Sequence, residues 1–123
     1  MEGRQWELID NERPWTANAE RTWHHMKRAK CVRLCRERFY WLALAAQIPK
    51  LNAVSVEVRP TVVNRRGFPD VAACFPAAKA GIDGLVDAGV IPNDTPNHLL
   101  KLTFFPATVT GKDSMRITVK EEL

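Results

Sequence analysis

The chain has 123 residues, 46% of them apolar, enough for one modest hydrophobic core and too few for a separate catalytic module, so a single domain over 1–123 is expected. Eighteen Lys and Arg against fourteen Asp and Glu give a net charge of +4. Three cysteines without a CxxC pair or zinc-spaced histidines argue against a disulfide scaffold or a zinc site, and the longest apolar run, residues 41–46, is too short to span a bilayer. The polar opening, residues 1–11, has no signal-peptide pattern, so a soluble cytoplasmic protein is expected.

In chain order, the charged first dozen residues ending at Pro14 read as an arm or a strand of unfixed register. Residues 19–47 lack Gly and Pro and carry Trp23, Met26, Leu34, Phe39, Leu42 and Ala46 at approximate helical spacing, which predicts one helix with a looser start. The basic residues Arg13, Arg21, Lys27, Arg28, Lys30, Arg33, Arg36 and Arg38 crowd residues 13–38 against only Glu20 and Glu37, the charge pattern of a segment that meets a polyanion. Cys31 and Cys35 share one face of this helix as small, partly apolar side chains. Pro49 ends the helix, and the alternation over residues 53–58 predicts a half-buried strand that Thr61, Val62 and Val63 can extend past Pro60.

The polar break Asn64-Arg65-Arg66-Gly67 leads through Phe68-Pro69-Asp70 into a second helix over residues 72–88, closed by Gly89 as its C′ residue and followed by a turn at Pro92-Asn93-Asp94. Residues 99–105 and 115–119 read as a last pair of strands, a hairpin joined across Gly111-Lys112-Asp113.

The second helix carries Lys79, Asp83 and Asp87 at four-residue intervals, so the three stack along one face. In isolation such a triplet is an ion-pair ladder on a solvated face. Here Asp70 precedes the helix and Asp94 follows it, in turns where side chains can converge. Mg²⁺ binds through a few carboxylate oxygens and keeps several waters, so aspartates at element ends suit it. A lysine beside them suits charge growing on a phosphate.

The stretch Pro69-Asp70-Val-Ala-Ala-Cys-Phe-Pro76-Ala-Ala-Lys79-Ala-Gly-Ile-Asp83-Gly-Leu-Val-Asp87-Ala-Gly89-Val-Ile-Pro-Asn93-Asp94 resembles the core of RusA-like Holliday junction resolvases, which are found in bacteria and their phages. Asp70, Lys79, Asp83 and Asp94 match that pattern, and Pro14-Trp15-Thr-Ala-Asn18 looks like the family's N-terminal segment. The resemblance implies an α/β (α+β) fold, a small mixed sheet with two main helices, in a symmetric homodimer. It implies a Mg²⁺-dependent endodeoxyribonuclease that resolves four-way junctions in recombination and repair. Asp70, Asp83 and Asp94 would hold metal, Lys79 would steady the phosphate, and Arg21, Lys27, Arg28, Lys30, Arg33, Arg36, Arg65 and Arg66 would contact DNA. Two departures stand out. The family's D-x-D-N turn is Asp70-Val71-Ala72-Ala73 here, and its closing D-D is Asn93-Asp94. They favour an alternative, a DNA-binding module of the same fold that has lost cleavage. His98 is a candidate phosphate or water contact, although a lone turn histidine is more often a spectator. His24 and His25 read as further DNA contacts, and Trp15 and Trp23 as core residues or stacking platforms for exposed bases.

Overall fold

A computed structural model describes residues 3–123, so Met1 and Glu2 of the polar opening lie outside the described residues. The chain runs β1 (Gln5–Asp10), α1 (Ala17–Glu20), α2 (His25–Ala45), β2 (Val54–Val62), α3 (Phe75–Asp87), β3 (Leu99–Phe104), β4 (Thr108–Val109) and β5 (Ser114–Glu121). The fold is mixed α+β, with a five-stranded mixed sheet and three helices among the described residues. None of these helices is long and apolar enough to cross a membrane.

The sheet order is β1-β5-β2-β3, with β4 pairing the far end of β2. Contacts of β5 with β1 and with β2 are antiparallel, whereas β3 and β4 lie parallel to β2. The expected hairpin between the last two strands is therefore not formed: β3 and β5 lie on opposite sides of β2. The reason is burial. Val54, Val56, Val58 and Val62 of β2 and Met115, Ile117 and Val119 of β5 are all at 1% exposure or less. Strands so apolar pair with each other in the sheet interior and leave the more exposed β3 at the edge. The parallel β2 and β3 need a crossover, and α3 supplies it. Pro60 falls inside β2, between the stretches of that strand that pair with β3 and with β4, where a missing N–H costs least.

The long helix expected over residues 19–47 is two helices. Thr16 Oγ1 accepts from Ala19 N at 3.2 Å to cap α1, and His24, with extended backbone, accepts from Met26 N at 3.2 Å through Nδ1 to cap α2. No Gly or Pro marks this break. It falls at Thr22-Trp23-His24-His25, a run of β-branched and aromatic residues with modest helix propensity. The second helix begins at Phe75, later than residue 72, because Pro76 occupies its first turn and residues 71–74 form turns ahead of it. Gly89 ends the helix at φ 81°, as its C′ role requires.

The α3 face toward the core is built from Ala77, Ala78, Ala80, Gly81, Ile82, Gly84 and Leu85. Gly81 faces Ile117 of β5 and Phe39 of α2, so α3 is pressed against the sheet and α2 together. A Cβ on Gly84 would run into the backbone carbonyl oxygen of Arg36 and stand 3.0 Å from Tyr40 N. Backbone atoms in the middle of a helix cannot move aside as a side-chain end can. Gly84→Ala is therefore expected to destabilise by about 2–3 kcal/mol, at the upper end of overpacking costs, and to lower the thermal midpoint by roughly 10 °C or more in a calorimetric or circular-dichroism melt.

Candidate functional site

Because the small-residue face of α3 is turned inward, Lys79 and Asp83 emerge half-buried at its edge. Lys79 Nζ lies 2.7 Å from Asp83 Oδ1, an i,i+4 pair, and 2.7 Å from Asp94 Oδ2, which arrives from the loop beyond α3. Burial works to lower the Lys79 pKa, but the hydrogen bonds to Asp83 and Asp94 outweigh it and the net shift is upward. The hydrogen bond from Lys79 holds Asp94 below the ordinary carboxylate range. The ammonium thus stays charged and gathers two carboxylates at one point.

The loop that delivers Asp94 is held at both ends. Asn93 Oδ1 accepts from Thr95 N at 3.0 Å, an Asx turn that an amide side chain makes as well as an acid does. His98 Nδ1 lies 2.7 Å from Asn52 O, and its own carbonyl accepts from Val54 N at 2.8 Å. His98 therefore clamps the loop to the start of β2, a structural task rather than a phosphate contact.

Asp87 leaves the expected ladder. Its carboxylate is held by the Arg36 guanidinium through two bonds, one of them Nη2 to Oδ1 at 2.7 Å, and that fork ties α3 to α2. The Arg36 hydrogen bond lowers the Asp87 pKa, and the same bond raises that of Arg36. Arg36, one of the expected DNA contacts, is thereby engaged within the fold.

Asp70 is exposed in the turn before α3 and forms no ion pair among the described residues. No three His, Cys, Asp or Glu side chains among them gather into a group that could hold a metal ion. The three-carboxylate set of Asp70, Asp83 and Asp94 is thus not preassembled, and only Asp83 and Asp94 converge. The two convergent carboxylates do fit Mg²⁺, which binds through one or two carboxylates and keeps several waters.

Among the proposed DNA contacts, Arg21, Lys27, Lys30, Arg33 and Arg66 are exposed and have no acidic partner among the described residues. Arg28 lies 3.8 Å from Glu20, and Arg65 donates to Ala107 O at 3.2 Å. Arg13 and Arg38, which the sequence counts in the basic segment, are engaged within the fold: Arg38 Nε lies 2.9 Å from Asp10 Oδ1, and the Arg13 guanidinium reaches Asn64 O, Arg66 O and Asp113 Oδ1 and so shapes the loop that carries Arg65 and Arg66. Nothing local in the sequence announces the Arg13 contacts, because its partners lie about fifty and a hundred residues away. Cys35 and Cys74 are pushed up to about 12 and about 11 by burial, which keeps both as inert thiols. No protein-family model and no curated protein matches this chain.

Asp87 and Asp94 have folded pKa values below their ordinary ones, so the stability they contribute is present above the ordinary carboxylate range and is lost as pH falls through the lowered values. Lys79→Met leaves Asp83 and Asp94 facing each other without their cation. Carboxyl-carbon NMR titration is expected to show the Asp94 midpoint moving upward in this variant while Asp87, still held by Arg36, stays low. An unmoved Asp94 midpoint would show that Lys79 does not set its charge.

Proposed function

We propose that this chain is a RusA-like, Mg²⁺-dependent endodeoxyribonuclease that acts on four-way junctions as a symmetric homodimer. The observation that carries this reading is the convergence of Asp83 and Asp94 on Lys79 beside a helix rich in unpaired cations. Mg²⁺ held by the two aspartates would supply charge to polarise a phosphoryl oxygen and to acidify an attacking water. Lys79 meets the charge growing on the phosphate. The exposed Lys30 and Arg33 of α2 bind backbone phosphates and set the position of the strand. A two-fold dimer suits a junction of near two-fold symmetry, since two identical sites then face opposed strands.

A second reading, a junction-binding module without cleavage, is favoured by one observation: Lys79 already neutralises the two convergent acids in part, and Asp70 stands apart from them. Asp94→Asn separates the two. In the nuclease reading the substitution abolishes Mg²⁺-dependent cutting of a synthetic junction while leaving binding in a gel-shift assay unchanged or tighter, because a charge that repels phosphate is gone. Wild-type protein that binds junctions but never cuts them, in Mg²⁺ or Mn²⁺, establishes the module instead.

The phosphate-binding cations have their own signature. Lys30→Ala and Arg33→Ala are each expected to make the slope of log affinity against log salt shallower by roughly 0.9 on duplex arms, the value for one phosphate that is no longer neutralised. An unchanged slope in the double variant would place the DNA on another face.

A further inference from the structure

Between the segment leading into α1 and the first half of α2 lies a cleft of ≈ 530 Å³, lined by Arg13, Trp15, Trp23, Leu34, Arg38 and Arg66 among others. That volume is within the range of small-ligand sites. Trp15 and Trp23 form its aromatic wall, their ring centroids 6.2 Å apart and their planes inclined by 37°. Trp15 packs on the core and is fixed by its Nε1, which donates to Glu20 Oε2 at 2.8 Å. Trp23 is only half-buried and is no part of the core. A tryptophan left on a cleft in this way presents an aromatic surface to whatever enters.

Cations border that wall. Lys27 Nζ lies over the Trp23 ring, 4.5 Å from its centroid, and does not itself line the cleft, whereas Arg66 does, exposed and without an acidic partner among the described residues. The backbone of Arg66 is pinned, its N–H on Asn64 Oδ1 at 3.0 Å and its carbonyl on Arg13 Nη2 at 2.6 Å. An aromatic wall with an unpaired cation, Arg66, at its rim matches a base and its phosphate.

The cleft also extends toward the turn before α3. A second groove shares Thr16, Ala19 and Gly67 with it and runs past Arg65 to Pro69, the neighbour of Asp70. Ala17 N donates to Ala73 O at 3.0 Å and ties the cleft wall to the turn before α3.

We propose that this cleft binds one unpaired nucleotide, its base packed on the Trp15–Trp23 wall and its phosphate met by Arg66. The strand then leads along the second groove toward Asp70. A base stacked within a duplex cannot enter, so the cleft selects single-stranded segments such as those at a branch point. The proposal rests on the DNA-binding reading and not on cleavage.

The test uses wild-type full chain in EDTA, with fluorescence anisotropy of a labelled oligothymidylate about ten nucleotides long and of an abasic strand of equal length, so that phosphates are matched and only bases differ. The base-bearing strand is expected to bind about tenfold more tightly, with Trp23→Ala erasing the difference and Trp23→Phe keeping most of it. Equal affinity for the two strands overturns the proposal, as does a preference that survives Trp23→Ala. Junction cleavage is measured separately. Base-dependent binding without cleavage leaves this inference standing and removes the nuclease, and cleavage without base-dependent binding does the reverse.

Discussion

The contact of α3 with α2 at Gly84 sets the rotation of α3, and most of what is functional here follows from that rotation. With a glycine against the Arg36 carbonyl and a second, Gly81, against Phe39 and Ile117, α3 turns positions that lack a Cβ toward α2 and the sheet, where a larger side chain would collide. That orientation buries the alanines and carries Lys79 and Asp83 to the edge facing the 92–98 loop. The Arg36–Asp87 fork reinforces it from the other side. Its chemistry suits the task, since a planar guanidinium against a carboxylate fixes direction as well as distance, which a lysine would not.

The four-residue spacing of Lys79, Asp83 and Asp87 does not by itself say which charges act together. In the fold the triplet splits. Asp87 is neutralised across the helix interface, whereas Lys79 and Asp83 recruit Asp94 from a distant turn. Two carboxylates on one ammonium leave a net negative charge on a half-exposed knot, whereas an i,i+4 pair alone would be neutral. In the proposed nuclease this residual charge is what a bound divalent cation would offset, which the neutral pair of an isolated ladder would not call for.

Elements whose pattern is local were legible in the sequence. The alternation of β2, the small-residue helix closed by Gly89 and the turn at Asn93 all appear where their residues predict them. What the sequence concealed depends on partners far along the chain. The α1–α2 break rests on a histidine cap, and a histidine is not among the usual capping residues. The placement of β5 between β1 and β2 depends on relative burial across the whole sheet, which a hairpin rule applied to neighbouring segments cannot weigh. For the site, Lys79, Asp83 and Asp94 could be named from spacing and turn position, whereas the failure of Asp70 to join them in a group that could hold a metal ion depends on how its turn folds, which no local pattern gives.

The alanines of the turn before α3 differ in what the fold demands of them. Ala73 is buried at 6% exposure, accepts a hydrogen bond from Ala17 and belongs to the core, so a carboxylate there would be taken out of water without a partner. Ala72 is exposed. Packing imposes nothing at that position, and its small apolar side chain is a chemical choice rather than a structural necessity. With no acid at 72, any cation in this region must rely on the two convergent aspartates and on its own water shell, the coordination that Mg²⁺ tolerates best among hard divalent cations. The same turn carries the backbone link to the wall of the tryptophan cleft, Ala17 N to Ala73 O, which does not depend on which side chain stands at 72.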